Sequence, residues 1–115
     1  MENQEQTAPE TKTFDGGVSE ANIKEWKAKH RKVFRVDIVD GDETHIVYFK
    51  RPDFSTVKTT TKIAKTDEVE SGRVMFEHCF LGGSKYVRED MVLFMAAQVQ
   101  LNKLLNSCMG SLKNL

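Results

Sequence analysis

The sequence predicts an α+β fold: an N-terminal β-hairpin preceded by a short helix and followed by a bundle of about three helices. Three observations predict it. Apolar and polar residues alternate from Val33 to Ile38, the period of a strand with one covered face. Beyond Pro52 the apolar residues recur at helical spacing instead. Between the two regimes stands Arg51-Pro52, where the missing backbone donor and the restricted preceding residue end a strand.

A chain of 115 residues fits one compact domain of modest core. That domain is expected over residues 19–115, behind a disordered acidic tail at 1–18 that carries Glu2, Glu5, Glu10 and Asp15 against Lys12 and is broken by Pro9 and Gly16-Gly17. The 17 basic residues balance 17 acidic ones, so no global field steers the chain toward phosphate backbones or anionic membranes. The longest unbroken apolar run, 91–97, is too short to cross a bilayer. No charged-then-apolar leader is expected, which favours a cytoplasm and reduced, buried thiols at Cys79 and Cys108, with a disulfide between helices as the alternative.

Ser19 is a suitable N-cap for a helix over 20–31, in which Ile23, Trp26 and His30 form a narrow apolar face. The hairpin follows. Its first strand puts Phe34, Val36 and Ile38 on one face and Arg35 and Asp37 on the other. Asp40-Gly41-Asp42-Glu43 supplies the turn, and 44–50 returns with apolar residues on both faces. One face is expected to lie on the helices and the other on something else.

Asp53 caps the next helix, over 54–65, whose thin stripe is Phe54, Val57 and Ala64, padded by Thr60 and Thr61. Lys50, Arg51, Lys58, Lys62 and Lys65 make a basic patch around it. No aromatic residue interleaves Lys58, Lys62 and Lys65 for base stacking. Thr66 is read as the cap of a third helix, Gly82-Gly83 as its end, and Val69, Phe76, Cys79 and Phe80 as its buried face. Gly72 lies on that face, where a missing side chain permits close approach and offsets a propensity cost of roughly 1 kcal/mol.

The last helix, from Lys85 or Arg88 to Ser107, carries two stripes. Leu93, Phe94, Ala97, Leu101, Leu104, Leu105 and Cys108 make one, and Met91, Val92, Met95 and Val99 make a second over its first half. One stripe suffices for a core. The surplus lies under the hairpin or under another chain, so Met91, Val92, Met95, Val99, Leu101, Leu104 and Leu105 are the candidate partner-binding or oligomer residues. Leu112 and Leu115 give the C-terminus an apolar end.

No catalytic or metal-binding constellation is readable. His78 and Cys79 are adjacent on a helix and point apart, with no second ligand pair. Asp37, Asp40, Asp42 and Glu43 lack the calcium-loop pattern. Ser84 has no nucleophile elbow, and the histidines have no spacing that implies a base. A non-enzymatic protein without cofactor is expected.

From Ile23 to Leu115, the hairpin ending in Tyr48-Phe49-Lys50-Arg51-Pro52 and the helices carrying Glu77-His78-Cys79-Phe80-Leu81-Gly82-Gly83 and Met91-Val92-Leu93-Phe94 resemble the small tail assembly chaperones of long-tailed bacteriophages and prophages. The resemblance is one of size, element order and the strand-end Arg-Pro. It implies a protein of the bacterial host cytoplasm that coats the tape-measure protein, helps recruit tail-tube subunits and self-associates. A small nucleic-acid-binding factor using the basic clusters from Lys24 to Arg35 and from Lys50 to Lys65 and a structural head-tail virion component are the alternative readings.

Overall fold

The chain is described here by a computed structural model covering residues 12–108 and 110–115. Its architecture is organised around one strand, β3 (Glu43–Lys50), which has neighbours on both edges. Along one edge runs β2 (Val33–Asp40), antiparallel and in register from Val33 opposite Lys50 to Asp40 opposite Glu43. Along the other edge two short strands lie end to end. β1 (Lys12–Phe14) pairs parallel with Glu43 to His45, and β4 (Phe80–Gly83) pairs antiparallel with Val47 to Phe49, with a register shift between Tyr48 and Phe49. Centrality explains composition: His45, Ile46, Val47, Tyr48 and Phe49 are all buried, as expected for a strand covered on both faces.

The two faces have different covers. On one, Val47 and Phe49 join Ile38 and the helical residues Met75, Phe76, Cys79, Val87, Leu93, Ala97 and Leu101 in the main core. Phe76 is its aromatic centre, with ring centroids 5.3 Å from Phe49, 5.4 Å from Phe80 and 5.0 Å from Phe94. On the second face α1 (Glu20–Lys29) lies over Tyr48 and Gly82 and supplies the element that the sequence left unassigned. Ser19 and Asn22 form a reciprocal capping box at its start. Trp26 then lies 5.6 Å from the Tyr48 ring and against Gly82, where an added Cβ would come 2.8 Å from the indole. No residue of α1 is fully buried.

The fold is α+β, with five helices and a four-stranded sheet among the described residues. The expected order, a hairpin ahead of three helices, does not match. A strand precedes α1, another interrupts the helical half, and the hairpin is part of a larger sheet in which β3 is central and β2 an edge. Part of the segment expected as a disordered tail is a strand. Residues 12–14 form β1, and Asp15 turns the chain by accepting a hydrogen bond from the Gly17 amide at 2.9 Å; residues 1–11 lie outside the described part of the chain.

In α2 (Phe54–Ala64), Asp53 caps the first turn, accepting from Thr56 N at 2.8 Å. The expected stripe is on the wrong side. Thr56 and Thr60 are buried, while Phe54 is 94% exposed and Val57 and Ala64 are also exposed. The physical reason is that the Thr60 hydroxyl donates back to the Thr56 carbonyl at 2.9 Å and Ser71 donates to the Thr60 carbonyl at 2.7 Å. With its hydroxyl satisfied locally, threonine packs as a small apolar residue.

α3 (Glu68–Cys79) is capped by Asp67, not Thr66, and ends before the glycine pair. Gly82 and Gly83 belong to β4. Gly83, at φ +133°, takes a conformation that side chains rarely adopt, and an added Cβ would collide with the Ile46 carbonyl. Met75 replaces Val69 on the buried face; Val69 is exposed. The long last helix is two helices, α4 (Tyr86–Glu89) and α5 (Met91–Leu105), because Asp90 turns out of the helix and accepts from Val92 N at 2.9 Å.

Candidate functional site

The two stripes of α5 part company. Leu93, Ala97 and Leu101 are buried, and Phe94 and Leu104 pack half-buried at the edge of the core. Met91, Val92, Met95 and Val99 are each more than half exposed, and Leu105 is 41% exposed. Leu101 therefore leaves the candidate set: its side chain is fully enclosed and cannot meet a partner. Leu104 is largely committed to the same core. Cys108, expected to extend the inner stripe, lies exposed beyond the helix end.

Between α3 and α5 runs an open groove of about 650 Å³, with Val69, Gly72 and Met75 on one wall and Met91, Met95 and Gln98 on the other. Gly72 has the role its sequence position implied, though what approaches is a side chain: an added Cβ would lie 3.3 Å from Gln98 Nε2. The Gln98 Oε1 atom is buried without a hydrogen-bond partner among the described residues. The groove is chiefly apolar, flexible at its methionines and polar where Gln98 lines it. Its polar lining consists of Glu68, Ser71 and Asn102 beside Gln98.

A second arrangement escaped the sequence. His45 Nδ1 lies 2.8 Å from Ser84 Oγ, and His45 Nε2 lies 2.9 Å from Glu43 Oε1. The connectivity is that of a nucleophile, base and acid. Access is missing, since His45 and Ser84 are each 1% exposed. A depression of about 450 Å³ bounded by Phe14, Gly16, Lys85 and Tyr86 borders Ser84. The Ser84 amide already donates to the Ile46 carbonyl at 2.9 Å, so it is not free to stabilise an oxyanion. The imidazole is stacked on Phe14 at 4.9 Å and edged by Tyr86 at 5.9 Å. These contacts make the trio a tie between β1, β3 and the turn into α4. The available signal was period: His45 shares a face with Val47 and Phe49 and so points inward.

No protein-family profile matches the chain, and no curated protein does. Among solved structures, an uncharacterised protein from Bacillus stearothermophilus superposes with a TM-score of 0.53 at 16% identity, over 80% of this chain and 99% of that one. At that identity the likeness is one of fold alone.

The remaining candidates disperse. Lys58, Lys62 and Lys65 are exposed along α2, but the Arg51 guanidinium sits 5.9 Å above the Phe34 ring and donates to Cys108 Sγ at 3.6 Å. Arg51 thus serves the junction of β2 with the C-terminal end of the chain rather than a basic surface. His78 donates from Nδ1 to the Val74 carbonyl at 2.9 Å, and the neighbouring Cys79 points into the core. Both cysteines are free thiols, and burial pushes that of Cys79 up to about 11. No cluster of three potential metal ligands occurs among the described residues.

Proposed function

We propose that this protein is a non-catalytic binding protein whose α3–α5 groove receives an apolar helical segment of a client. The observation that carries the reading is the exposure of Met91 and Met95 along an open apolar groove, on a helix whose core is already complete without them. α5 has 15 residues, so the groove wall is about 22 Å long, the length of four helical turns. A client helix would present anchors at three- and four-residue spacing. Methionine suits a repetitive client because its side chain repacks against different shapes at little strain.

The resemblance to tail assembly chaperones supplies the identity of the client: the tape-measure protein of a bacteriophage tail, with tail-tube subunits as a second partner, in the cytoplasm of the infected host. The test is co-expression with the long helical protein encoded beside this one, followed by capture. Wild-type chain retains the client, and a folded Met95→Asp chain loses it. Absence of capture by wild type, or undiminished capture by folded Met95→Asp, overturns the reading. Mass spectrometry of purified particles separates a transient chaperone, which is absent from them, from a structural head-tail component.

A further inference from the structure

We infer that β2 is an interface through which two copies of this chain pair, edge to edge and antiparallel, about a dyad at Val36. The proposal concerns the side of the sheet away from β1 and β4 and does not depend on what the groove binds. β2 is the long edge of the sheet. It runs eight residues, pairs with β3 without a register shift, contains no proline, and has no strand partner on its outer side among the described residues. Such an edge presents unpaired backbone donors and acceptors, which natural proteins cover, bend or shield with charge.

The occupant is set by the order of side chains. Closed two-fold pairing requires a surface complementary to itself. In an antiparallel pair centred on Val36, each residue meets the one equally far on the other side of the centre. Arg35 then faces Asp37 of the second copy, Phe34 faces Ile38, Val33 faces Val39, and Lys32 faces Asp40. Every charge meets its opposite and every apolar residue meets an apolar one. Another partner strand has no reason to match this order, whereas a second copy matches it by construction.

Two features of the isolated chain agree. Val39 is 71% exposed on the face opposite the main core, a β-branched residue with nothing over it. Arg35 and Asp37 pair with each other along the strand, Nε to Oδ1 at 2.7 Å and Nη2 to Oδ2 at 2.9 Å, with both side chains about half exposed. An exposed pair of this kind adds little to monomer stability. Its charges are free to exchange partners across the dyad, where two Arg35–Asp37 pairs would close side by side.

Sedimentation of the wild-type chain over a range of concentrations is expected to show a monomer–dimer equilibrium. Arg35→Asp and Asp37→Arg each place like charges opposite one another twice in the interface, and each weakens dimerisation by about tenfold or more. An equimolar mixture of the two variants regains it, because each chain then meets the opposite sign. An intrachain role for the pair would not produce that rescue. Val39→Lys, at a position exposed in the monomer, weakens dimerisation without touching the charge pair. Met95→Asp leaves it unchanged. A wild-type chain that stays monomeric into the high micromolar range overturns the inference. So does wild-type dimerisation of either charge variant, or a mixture of folded variants that stays monomeric. Loss of the dimer in Met95→Asp would move the interface to α5 and overturn it as well.

Discussion

The inner and outer sides of α5 are built from the same kinds of residue and meet opposite fates. Leu93, Ala97 and Leu101 are enclosed between the sheet and α3, whereas Val92, Met95 and Val99, on the opposite side of the same helix, are more than half exposed. Intrinsic hydrophobicity does not separate the two sets. What separates them is supply: β2 and β3 offer one apolar face on this side, and the inner stripe together with Phe76 and Val87 exhausts it. A helix with more apolar surface than its sheet can cover is either a liability or a contact.

Substitutions can break or sharpen that division. The largest effect is expected from Leu101→Asp, which buries a charge without a partner and should cost about 4 kcal/mol or more, enough to unfold a domain of this size. A urea midpoint near wild type would show that the inner stripe is not core. Ser84→Ala removes a hydrogen-bond partner from the buried His45 ring on the sealed side, and a loss of about 1–3 kcal/mol is expected in the same assay. Met95→Asp, on the open side, should shift stability by no more than about 0.5 kcal/mol; a large loss would mean that the groove closes in solution. The smallest perturbation is chemical. At mildly alkaline pH a thiol reagent should modify Cys108 and spare Cys79, whose raised pKa keeps it protonated and whose burial hides it, until denaturant is added. Equal rates would place Cys79 outside the core.

What the sequence disclosed was local. The hairpin could be read because alternation over 33–38 and a turn glycine at Gly41, which has φ +60°, act within a few residues of each other. The caps at Ser19 and Asp53 were legible for the same reason, each bonding an amide three residues on. β1 and β4 were not, since three or four residues become strands only by pairing with a distant β3. The glycine pair reads as a helix stop until Trp26 and the β3 backbone are brought against it. The outward turn of Phe54 depends on Thr56 and Thr60 taking the inner side of α2, with the Thr60 hydroxyl satisfied in place. At the candidate site, the excess apolar surface of α5 was visible, but Leu101 could not be assigned to the core without the sheet beside it. His45 and Ser84 are 39 residues apart, a separation that no local pattern bridges.

The way α1 is fastened has a consequence for the energy landscape. That helix contributes no fully buried residue and rests on the sheet chiefly through Trp26, while the main core lies wholly on the opposite side. Its detachment therefore requires breaking few contacts and leaves the rest of the molecule intact, which is the condition for a subglobal opening well below the free energy of complete unfolding. The protein is in this sense two cooperative units of unequal strength sharing one sheet. Tyr48, buried at rest beneath Trp26, is the residue that the weaker unit uncovers when it leaves.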